Sequence, residues 1–199
     1  MEQNTNPYKL KYKYAADYGL ILGAYIAIFY CLQVFFNANV VVNLLNTAGM
    51  IGTPFLCYYL TKKYRDSACG GYIRYSQAWS FGVWLFLFAG LIMSVIYFVH
   101  MQWIEPNFIA DTFNQSLLML EQMNYDQKAL DAIASNPMPT PIQVVTAYLF
   151  FYIIGGGILF LIISAFIVRK NPDDPFGTGP ADTTYKPYQD KNDTPDSNA

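Results

Sequence analysis

Charge is what this 199-residue chain has least of: Asp, Glu, Lys and Arg together make up only 13%, histidine occurs once and cysteine three times. A typical soluble domain is about one-quarter charged. The formal net charge of −2 provides no basic field for a phosphate backbone, so nucleic acid is excluded as a partner. A single histidine and the absence of intramembrane carboxylate pairs leave too few ligands for a metal centre. No Gly-rich phosphate loop, nucleophile elbow or HExxH occurs, so the expectation is a protein that is not an enzyme and carries no cofactor. The three cysteines have neither CxxC nor metal spacing. Cys31 and Cys57 fall in apolar runs and read as small buried hydrophobes, while Cys69 falls in a basic loop.

What replaces charge is apolar length. Hydrophobic residues are 54% of the chain and aromatics 18%, gathered into four windows without Asp, Glu, Lys, Arg or His: 19–36, 40–60, 81–99 and 144–168. A helix crosses the hydrocarbon layer in roughly 20 apolar residues, whereas β-strands would be shorter and alternate polar with apolar. The expected fold class is all-α, an integral membrane bundle of four transmembrane helices in two hairpins. It occupies residues 1–170 and is followed by a polar tail, 171–199, too poor in aliphatics to fold. The basic run before the first window resembles a signal peptide. Its apolar stretch is too long and lacks a cleavage site, so an uncleaved first helix is expected.

Cation placement sets the expected orientation. Lys9, Lys11, Lys13, Lys62, Lys63, Arg65, Arg74, Arg169 and Lys170 share one side, and Lys128 alone lies in the long loop 100–143. The positive-inside rule puts both termini in the cytoplasm. Tyr14, Tyr18, Tyr58, Tyr59, Trp79 and Trp103 sit at the predicted boundaries, as an interfacial belt does.

The first two spans are joined by Asn37-Ala38-Asn39 and must be antiparallel neighbours. The last two are joined by the long loop. There Pro106 is expected to open a helix whose Ile109, Phe113, Leu117, Leu120 and Met123 recur at helical spacing. A second helix, N-capped by Asp126, is expected to end before the proline cluster 136–141, which reads as non-helical. This amphipathic loop serves either as a contact face, through Ile109, Phe113, Leu117 and Leu120, or as a lid on the bundle's own rim. Gly70-Gly71 breaks the helix leaving the membrane, and Tyr72–Trp79 reads as a lipid-facing anchor.

Within the spans, Ala15, Gly19, Gly23 and Ala27 stand four apart and form a face of small residues; Ala48 and Gly52 repeat the spacing. Such faces let helix backbones approach closely. Gly155, Gly156 and Gly157 offer the same in the fourth span, or alternatively a gating hinge. The second span is the most polar: Asn43, Asn46 and Thr47, with Gln33 of the first, form a polar cluster that either bonds internally or lines a wet pocket. His100, at the outer end of the third span, reads as an interfacial residue.

The four-span layout, the tight first hairpin, the segment Gly70-Gly71-Tyr72-Ile73-Arg74-Tyr75-Ser76-Gln77-Ala78-Trp79-Ser80-Phe81-Gly82 and the proline-led outer segment from Pro106 carry a resemblance. The chain resembles the Gram-negative bacterial membrane family known as domain of unknown function 4199, over about residues 10–170. The resemblance implies a bacterial inner membrane with the long loop in the periplasm, and no assigned activity. The function expected is that of a scaffold or accessory subunit acting through helix and loop contacts. Its partners would be the bilayer and another membrane protein or a second copy. The alternative is a small-solute carrier acting as an oligomer.

Overall fold

The computed structural model describes residues 7–36, 40–170 and 172. The first turn, 37–39, and the expected unfolded tail lie outside the described residues, Pro172 apart. The described residues form helices α1 (Pro7–Phe35), α2 (Val40–Ala68), α3 (Tyr75–Val99), α4 (Phe108–Gln122), α5 (Gln127–Ala134) and α6 (Pro141–Ile167). A π-helical turn, His100–Ile104, extends α3. The fold is all-α, and α1, α2, α3 with its π turn, and α6 are each long and apolar enough to cross a membrane.

The helices outrun the uncharged windows because a helix does not stop where hydropathy does. α1 carries Lys11 and Lys13 in its opening turns, and α2 runs on through Lys62, Lys63 and Arg65. What stops α2 is backbone chemistry. Gly70 and Gly71 take φ of 62° and 84°, a left-handed region that side chains with a Cβ avoid, and the Cys69 and Gly71 amides both donate to Arg65 O. Pro141 differs from expectation: it is the first residue of α6, capped by Thr140, whose own amide donates to Gln143 Oε1 at 2.9 Å. Proline fits there because the first helical amides have no intrahelical acceptor. Pro106 likewise lies before α4, with Asn107 as the N-cap.

α3 is the central helix. It packs most extensively against α6 and α1, while α2 lies against α1 and, at its basic end, α6. The core holds Leu22 of α1, Phe81 and Leu85 of α3 and Phe160 of α6, all fully buried. Tyr64 of α2 stacks on Phe81 at 4.1 Å between ring centroids, with the planes 3° apart. Around this core the outer faces are apolar: Leu20 and Ile28, Leu44 and Phe55, Val95, and Phe151, Ile158 and Phe166 are all exposed. A soluble monomer rarely shows contiguous apolar surface on this scale; hydrocarbon is the solvent that suits it.

Candidate functional site

Small residues position the helices. Ala15, Gly19 and Gly23 are buried on the face of α1 that meets α3. A Cβ added at Gly19 would stand 2.6 Å from Phe88 Cβ and 3.0 Å from Leu85 O, and one at Gly23 would meet Ile92 and Ala89. Ala27 is half-buried. Gly52 of α2 faces the Tyr25 hydroxyl, whereas Ala48 is exposed. The three consecutive glycines of α6 have different surroundings. Gly156 lies beneath Phe86, and Gly82 of α3 lies beneath Phe160, so each helix puts a ring over the other's glycine. Gly155 faces open space and Gly157 has only Val83 nearby. Close van der Waals approach of this kind is what holds helices together where water supplies no driving force.

The polar residues of α1 and α2 bond to one another. Asn46 Nδ2 donates to Gln33 Oε1 at 2.8 Å, and Gln33 Nε2 donates to Asn43 Oδ1 at 3.2 Å. Thr47 turns back to its own helix, donating to Asn43 O at 3.0 Å. Asn43 and Thr47 are exposed, while Gln33 and Asn46 are half-buried.

At the end of the bundle that carries the long loop, four elements meet at one imidazole. His100 is 3% exposed, which corrects its reading as an interfacial residue. The π turn swings its ring inward, and the Glu105 amide closes that turn by donating to His100 O at 2.8 Å. Nε2 faces Glu105 Oε2 at 3.1 Å, and Nδ1 is hydrogen-bonded to the Tyr30 hydroxyl of α1. An ionised carboxylate only accepts, which assigns the ring proton to Nε2 and makes Nδ1 the acceptor for Tyr30. Phe108 of α4 packs on the same ring at 5.2 Å. Aromatic contacts carry the junction across the bundle: Tyr30 meets Tyr97 edge-on at 4.6 Å, and Tyr97 stacks on Tyr148 of α6 at 4.9 Å. Tyr97 and Tyr152 place their hydroxyls 3.4 Å apart. Composition could not reveal this group, because its members come from α1, α3, α4 and α6 as well as the π turn and Glu105 after it. The one available signal was a lone histidine beside a span end, with a glutamate five residues on.

The basic end is tied differently. Tyr72–Trp79, expected as a lipid-facing anchor, keeps Tyr75 and Trp79 exposed and also ties the chain to α6. Ile73 and Arg169 exchange two backbone hydrogen bonds, and Arg169 lies over the Tyr72 ring at 5.5 Å. Tyr75 Oη donates to Leu161 O at 2.9 Å, and one turn later Trp79 Nε1 donates to Gly157 O at 3.0 Å. A polar hydrogen in apolar surroundings must find an acceptor, and here the two donors find it in a neighbouring helix. Arg65 Nη1 adds a bond to Ile167 O at 3.2 Å.

In the long loop, α4 packs on α5 more than on the bundle, and Leu130 of α5 is buried. Ile109, Phe113, Leu117 and Leu120 are half-buried on one side of α4. Leu118, Met119, Met123 and Tyr125 are more than half exposed. Among the described residues, no group of three or more His, Cys, Asp or Glu side chains could hold a metal ion.

The chain belongs to the family described as Protein of unknown function (DUF4199), whose family model matches residues 17–170. No curated protein and no solved structure matches it.

Proposed function

We propose that this protein is a scaffold or accessory subunit of a bacterial inner membrane, acting through contacts of its helices and outer hairpin and not as an enzyme. Both termini lie in the cytoplasm and the α4–α5 hairpin in the periplasm. The observation that carries the reading is how the polar groups of the spans are used. Gln33, Asn43 and Asn46 bond to one another, and Tyr75, Trp79 and Arg65 bond to backbone carbonyls of α6 or its end. Polar side chains spent on helix contacts are not arranged along a solute path, and Gly82 and Gly156 are covered by the protein's own rings. The hairpin, in contrast, keeps Leu118, Met119, Met123 and Tyr125 exposed, as a surface that receives a partner would.

The second reading, a small-solute carrier working as an oligomer, draws on the exposure of Asn43 and Thr47 on α2. Such groups are costly against hydrocarbon, and a second copy packed on that face would cover them.

A photoreactive amino acid placed at Met119 or Met123 in the full chain, expressed in its native membrane, separates the readings. The accessory reading expects a discrete adduct with another protein, lost when Leu118 and Tyr125 are made charged. An adduct only with a second copy, together with solute uptake into vesicles holding the pure protein, would favour the carrier.

A further inference from the structure

We propose that His100 is a proton-binding site whose charge state sets the link between α1 and the loop-side end of α3. The geometry carries it. The imidazole is buried, yet both ring nitrogens are engaged by chemically different groups: a carboxylate on Nε2 and a phenol on Nδ1. Glu105 is the wet side of the site. Its side chain is 56% exposed against 4% for His100, so it connects the ring to water on the loop side.

The two bonds respond differently when the ring takes up a proton. In the neutral ring, Nε2–H donates to Glu105 and Nδ1 accepts from Tyr30. A second proton can only be taken on Nδ1, the ring nitrogen that carries none, and the imidazolium then donates from both nitrogens. Toward Glu105 the bond keeps its direction and becomes a charge pair. Toward Tyr30 it must reverse: the phenol oxygen becomes the acceptor, and its own proton stays on that oxygen, turned away from the ring. One proton enters and none is lost from the phenol. The other titratable groups gathered here are Tyr97 of α3 and Tyr148 and Tyr152 of α6, joined to Tyr30 through ring contacts and the Tyr97–Tyr152 hydroxyl pair. Glu105 is the carboxylate that faces the ring. Histidine is the side chain suited to change charge in the physiological range. Protonation thus leaves the loop's hold on the π turn in place and resets the hold of α3 on α1.

A single histidine in the chain makes the test direct. The full protein, purified through a histidine-free tag, is labelled with nitrogen-15 histidine and carbon-13 tyrosine and placed in lipid nanodiscs for NMR. The expected neutral form is a single tautomer protonated on Nε2. Acidification is expected to protonate Nδ1 and, over the same pH range, to shift the Tyr30 signals, identified by their loss in Tyr30→Phe. Glu105→Ala, a change at an exposed position, is expected to mix the two tautomers. A neutral ring protonated on Nδ1 would overturn the proposal. So would acidification that moves the imidazole signals and leaves Tyr30 unmoved, or a Glu105→Ala protein that keeps a pure Nε2–H tautomer.

Discussion

Three adjacent glycines in α6 carry different consequences, because one turn of helix presents them to different neighbours. Gly156 lies under Phe86 and Gly82 under Phe160, with no room for a methyl group, while Gly155 faces open space. Overpacking of a tight contact costs about 1–3 kcal/mol. Gly82→Ala and Gly156→Ala are therefore expected to destabilise the bundle by that amount in a detergent unfolding titration. Gly155→Ala should be neutral or slightly stabilising, as alanine favours helix over glycine by about 1 kcal/mol. Cys69 offers a second single-residue test. Burial pushes its thiol up to about 11, against a smaller opposing effect of its hydrogen bond with Tyr64. Since the thiolate is the nucleophile, only about one Cys69 in ten thousand is reactive at pH 7. Peptide-resolved alkylation should show its labelling rising roughly tenfold per pH unit between pH 7 and 10. Labelling that levels off above about pH 9, as it does for an ordinary thiol, would contradict this half-buried placement.

Between α3 and α6, stitching and packing occur on the same two turns. Tyr75→Phe and Trp79→Phe each delete one interhelical donor while keeping an aromatic ring. Each is expected to cost about 0.6–1.7 kcal/mol, the range seen for hydrogen bonds between membrane helices, measured by the same unfolding titration. The polar triplet of Gln33, Asn43 and Asn46 should behave alike: Asn46→Leu loses the 2.8 Å bond and leaves the Gln33 oxygen short of that donor. At this scale the sequence was legible wherever one segment sufficed. Uncharged length marked the spans, spacing placed the helices of the loop, and paired glycines marked the end of α2. It was not legible where a role needed two distant segments. The aromatics of Tyr72–Trp79 look like any membrane-interface run until α6 is seen to bring the Leu161 and Gly157 carbonyls within reach. His100 likewise looked interfacial because the π turn that buries it leaves no periodic mark in five residues.

The whole molecule is a bundle with α3 at its centre, two dissimilar ends and an apolar exterior. Its basic end is fastened by backbone pairing between Ile73 and Arg169, its other end by the tyrosine and histidine contacts. With the proposed orientation, a membrane-impermeant amine reagent applied to intact spheroplasts should modify Lys128 and spare Lys62 and Lys63; the opposite pattern would invert the protein in the membrane. Gln33, Asn46, Tyr75 and Trp79 commit their polar groups to helix contacts, and the proposed function rests on what the molecule touches. Its mass in native nanodiscs, taken from its own membrane without crosslinker, tests that most directly. The account predicts a reproducible stoichiometric complex with another protein, lost when the exposed hairpin residues Leu118, Met119 and Met123 are made polar. A clean assembly of this chain alone, unchanged by those substitutions, would contradict it.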